Sequence, residues 1–72
     1  MTKEEFLTEL QTMIGAAGKI TEQTVLSDIP EWDSLAAMSA VSLFEDKLNK
    51  EINLAEIEQM STVSDLVKAA GL

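Results

Sequence analysis

Residues 29–48 read Ile29-Pro30-Glu31-Trp32-Asp33-Ser34-Leu35-Ala36-Ala37-Met38-Ser39-Ala40-Val41-Ser42-Leu43-Phe44-Glu45-Asp46-Lys47-Leu48, and the passage changes character at Asp33. Proline disfavours helical backbone at the residue before it, so a helix does not run through Ile29. Asp33 then offers a short carboxylate to the free N–H groups of a helix start. Downstream, Ala37, Val41, Phe44 and Leu48 recur at the spacing of a single helix face. Leu35 and Met38 fall on the opposite side at about 100° per residue, together with Ser39, Ser42 and Asp46. The spacing predicts a helix over 34–49 with a core stripe at 37, 41, 44 and 48. Lys47 and Lys50 complement its C-terminal dipole.

Upstream, residues 15–33 show no sustained period. Gly15, Gly18 and a scatter of Thr, Gln and Ser read as loop, with Ile20, Val25, Leu26 and Ile29 spaced to pin it to a core. A connection this long is uncommon in a compact domain and usually serves a function. Before it, Thr2 and Glu5 form a capping-box pair, and Phe6, Leu7, Leu10, Met13 and Ile14 make one helical stripe that Gly15 terminates. A first helix over 2–14 follows. Beyond residue 50, Ile52, Leu54 and Ile57 suggest a helical turn near 55–59. Thr62 and Asp65 repeat the capping pattern ahead of Val63, Leu66, Val67 and Ala70, with Gly71 as the stop. The expected fold is all-α: a small helical bundle of three main helices plus one short helix, with a long loop between helices one and two. The 72 residues suit a single domain spanning 1–72.

Composition narrows the chemistry. The chain has no Cys and no His. Disulfides, thiolate zinc sites, cysteine nucleophiles and histidine acid–base catalysis are therefore excluded within it. Five basic residues, all lysine, face thirteen acidic ones, for a net charge of −8. That balance opposes nucleic acid and anionic membranes, and the absence of Arg removes the bidentate fork for phosphate. No stretch supplies the alternating oxygen ligands of a calcium loop, so no metal site is expected. An apolar fraction of 46% belongs to a folded domain and not to a disordered acidic tail. The longest apolar run, Leu35 to Met38, is far too short for membrane insertion. Acidic residues at Glu4 and Glu5 stand where a signal peptide would begin its apolar core, so a cytoplasmic location is expected. A monomer is expected as well. The chain is not expected to be an enzyme.

One position invites chemistry. Ser34 lies in the first turn of the predicted helix, near free backbone donors and the positive dipole end, where a phosphate ester is favoured. It has neither His nor an adjacent Lys to activate it as a nucleophile. Such a serine is better suited to being modified than to modifying. On the dipeptide alone, a plain capping-region serine is the commoner meaning.

The order of these features resembles the acyl carrier proteins. The amphipathic first helix, the anchored loop, Asp33-Ser34-Leu35 at the start of helix two, the short third helix and the closing Thr62-Val63-Ser64-Asp65-Leu66 together span essentially the whole chain. The resemblance implies that Ser34, flanked by Asp33 and Leu35, carries a phosphopantetheine arm from coenzyme A. A separate magnesium-dependent phosphopantetheinyl transferase installs it. The arm's thiol holds an acyl or aminoacyl intermediate as a thioester for partner enzymes. By the same resemblance, loading enzymes and downstream synthases or transferases use basic docking patches to read helix two and the loop before it. Glu31, Trp32, Leu35, Met38, Glu45 and Asp46 are the partner-facing residues so implied, with Glu51, Glu56 and Glu58 as an extension. Trp32 is alternatively a core or loop anchor. Fatty-acid carriers usually have glycine two residues before the aspartate and acidic residues soon after the serine. Glu31 and the run Ala36, Ser39 and Ser42 depart from that pattern and lean towards a specialised carrier for a dedicated biosynthetic pathway. The alternative is an unmodified acidic helical module that binds proteins.

Overall fold

The computed structural model describes residues 1–72 as four helices without strands: α1 (Lys3–Ile14), α2 (Ser34–Leu48), α3 (Leu54–Glu58) and α4 (Val63–Ala69). The expected all-α bundle of three main helices and one short one is the fold observed. Each boundary has a local cause. At α1, Thr2 Oγ1 accepts from the Glu5 N–H at 3.1 Å while Glu5 Oε1 accepts from the Thr2 N–H at 2.9 Å. Gly15 ends α1 in the left-handed conformation at φ 68°, which glycine adopts without a side-chain penalty. Asn49 does the same for α2 at φ 53°. Asn53 caps α3 through the Glu56 N–H, and Thr62 with Asp65 forms a second capping box at α4.

α2 packs against both α1 and α3. Fully buried Phe6 and Phe44 meet edge to face across α1 and α2, with ring centroids 5.9 Å apart. Leu10, Ile57, Val63, Leu66 and Val67 complete the centre of the core.

The buried face of α2 differs from the predicted stripe. Ala36, Ala37, Ala40, Leu43 and Phe44 are buried, while Val41 and Leu48 are half-buried at the margin of the core. The face is turned by roughly 70° from the predicted one, at about 100° per residue. Contact with both α1 and α3 widens the covered arc, and the alanines that allow close approach carry too little hydrophobic weight to mark it.

The long loop holds one turn of 3-10 helix at Leu26–Asp28. Ile20, Leu26 and Ile29 are buried anchors as expected; Val25 instead leaves its side chain exposed and uses its backbone. The Leu26 N–H donates to Ser61 O, and the Val63 and Ser64 N–H groups donate to Thr24 O and Glu22 O, each at 2.9 Å. Free donors at the start of α4 are thereby satisfied by the loop.

Candidate functional site

The chain approaches α2 through a turn in which the Trp32 N–H donates to Ile29 O at 3.0 Å. Pro30 occupies the second position of that turn, where its fixed φ is already suitable. Ile29 is buried and Trp32 packs half-buried against the core, so the segment entering the helix is fastened on its inner side. Trp32 thus serves as an anchor, with part of its ring still accessible.

Asp33 is the N-cap of α2. Its Oδ1 accepts from the Ala36 N–H at 2.8 Å, and its carbonyl accepts from the Ala37 N–H at 2.9 Å. Capping therefore falls to Asp33. Ser34, the next residue, is exposed at the first helical position. The backbone N–H groups of Ser34 and Leu35 have no backbone partner, leaving the positive end of the helix open to an anion. Beyond the Asp33 cap, no acidic residue occupies the first turn of α2.

Around Ser34 the surface divides. Leu35 is 72% exposed and Met38 53%, far more than apolar residues contributing to a core. Glu45 and Asp46 are exposed further along α2, and Glu51, Glu56 and Glu58 are exposed in and before α3. Glu31 is not grouped with them. It is half-buried, and its Oε2 accepts from the Ala17 N–H at 3.4 Å, across the two ends of the loop. Gln11 makes a comparable link from α1, its Oε1 accepting from the Ile20 N–H at 3.5 Å. Neither link has a short-range sequence signature, because the partners are distant along the chain. The capping pairs at Thr2 and Thr62 were legible because their partners lie three residues away.

A family model described as "Phosphopantetheine attachment site" matches residues 4–70. The chain belongs to this family of phosphopantetheine-carrying domains, which are carriers and not enzymes. Comparison with curated proteins and with solved structures returns no match. The geometry fits the covalent group that the family carries. An exposed hydroxyl unneeded for the cap stands beside open backbone donors suited to a phosphodiester. No helix is long and apolar enough to cross a membrane.

Proposed function

We propose that Ser34 is the attachment residue and that the chain carries an acyl or aminoacyl unit for partner enzymes. The observation that carries this reading is the division of work at the start of α2: Asp33 caps the helix, so the exposed Ser34 hydroxyl is free to become an ester. When bound, the phosphopantetheine arm supplies a terminal thiol that holds the cargo as a thioester. The protein's own residues position that attachment. Asp33 fixes the helix start, Ile29 and Trp32 hold the preceding turn to the core, and the free Ser34 and Leu35 N–H groups favour the phosphodiester charge.

Leu35 and Met38 form the apolar contact beside the arm, with Glu45 and Asp46 as a negative surround for basic partner patches. The partners are a phosphopantetheinyl transferase, a loading enzyme and downstream synthases or transferases. Once docked, the carrier presents its cargo at high effective concentration. The neutral first turn of α2 supports a specialised carrier.

Labelling with a fluorescent coenzyme A analogue and a broad-specificity transferase tests the assignment. The natural chain is expected to label and Ser34→Ala to remain dark. Failure of the natural chain to label would favour the unmodified interaction module.

A further inference from the structure

We infer that Glu31 is a positioning residue for the attachment serine: its carboxylate closes the neck of the long loop and thereby holds the turn that delivers Ser34, rather than being read directly by partners. This rests on Ser34 being the attachment residue.

Three observations converge on the neck. First, Glu31 Oε2 accepts from the Ala17 N–H, joining the segment that leaves α1 to the segment that enters α2. The contact closes a compact surface loop of the kind whose ends meet and whose interior is packed by its own side chains. Second, Glu31 has no cation within ion-pair distance. The chain's ion pair joins Lys3 to Glu22. One carboxylate oxygen therefore has a backbone donor, and Glu31 is less exposed than Glu45 and Asp46 of α2. Third, the neck encloses only a shallow concavity of about 110 Å³, bordered by Ala16, Lys19, Ile29, Pro30 and Glu31 among others. Both arms of the loop border this concavity, the first through Ala16 and Lys19 and the second through Ile29, Pro30 and Glu31.

The lever arm is short. Glu31 precedes Trp32 and Asp33, whose packing and capping set the start of α2, and Ser34 follows at once. Ile29 fixes the inner side of this turn, and the Glu31–Ala17 bond fixes the outer. Releasing the outer side lets the turn sample positions in which the hydroxyl is displaced from the geometry a transferase requires. A smaller competent fraction raises the apparent Michaelis constant while leaving turnover at saturation intact.

The test compares Glu31→Ala and Glu31→Gln with the natural chain, using a broad-specificity transferase, a fluorescent coenzyme A analogue, and amide exchange at Ala17. Gln retains a carbonyl acceptor and removes the charge. Glu31→Ala is expected to speed Ala17 exchange and raise KM by about two- to fivefold, the range set by one solvent-accessible hydrogen bond. Glu31→Gln should stay within about twofold of the natural chain in both, with kcat and the salt dependence of KM unchanged in every variant. Unchanged Ala17 exchange in Glu31→Ala would overturn the inference. So would a KM in Glu31→Gln as high as in Glu31→Ala together with a weakened salt dependence, because partners would then be reading the charge itself. If the natural chain and both variants all label, but Ser34→Ala labels equally, the underlying attachment assignment fails instead.

Discussion

Asp33 Oδ1 lies 2.8 Å from the Ala36 nitrogen, so the cap of α2 survives any change to the neighbouring hydroxyl. Ser34→Ala is accordingly expected to alter unfolding free energy by no more than about 0.5 kcal/mol in urea denaturation. Asp33→Ala, which removes the cap itself, should cost about 1 kcal/mol. A reversed ranking would mean that the serine supports the helix start. The same contrast holds along α2. Fully buried Phe44, edge to face with Phe6, should cost about 3–5 kcal/mol when truncated to Ala. Exposed Met38→Glu should stay within about 0.5 kcal/mol yet slow modification or loading through the apolar contact it removes beside the arm. Thermal melts and transferase kinetics on the two variants decide the matter. Unfolding by Met38→Glu would place that residue in the core.

Among the elements, α4 and the loop depend on one carboxylate. Asp65 Oδ2 accepts from the Ser61 N–H at 2.9 Å and the Thr62 N–H at 3.1 Å. The Ser61 and Thr62 donors hold its pKa below the usual carboxylate range. Glu5 is lowered in the same way, first by the Thr2 N–H and then by the Thr2 hydroxyl. A carboxylate whose folded pKa is depressed contributes stability above its unfolded value and loses it as pH falls through the folded value. The contribution is therefore complete above roughly pH 5 and decays below about pH 4. In Asp65→Asn the loss of melting temperature as pH falls below about 4 should be shallower than in the natural chain. Equal slopes would show that the Asp65 bonds do not form in solution. The caps were legible in the sequence because Thr2 with Glu5 and Thr62 with Asp65 are local pairs. The backbone clasp from Glu22, Thr24 and Leu26 to the start of α4 was not, since it joins segments far apart and uses no side chain. The buried face of α2 was misread for a different reason: Ala36 and Ala40 are small enough to suit either core or surface, and only the neighbouring helices decide.

At the scale of the whole molecule, a net charge of −8 is spread over a small body with a single ion pair, between Lys3 and Glu22 at 3.8 Å. Self-repulsion therefore opposes folding, and added salt or magnesium should raise the melting temperature by screening or binding the carboxylates. A flat response would mean that the charges are too dispersed to matter. The chain has no Cys and no His, and it belongs to a family of carriers and not enzymes. The central claim is that this carrier's arm is attached at Ser34. Peptide mapping by mass spectrometry, after treatment with coenzyme A and a broad-specificity transferase, tests it most directly. One phosphopantetheine on the peptide containing Ser34, localised to that residue and absent from Ser34→Ala, is the predicted result. Its localisation to Ser39 or Ser42, or its persistence in Ser34→Ala, would contradict the account.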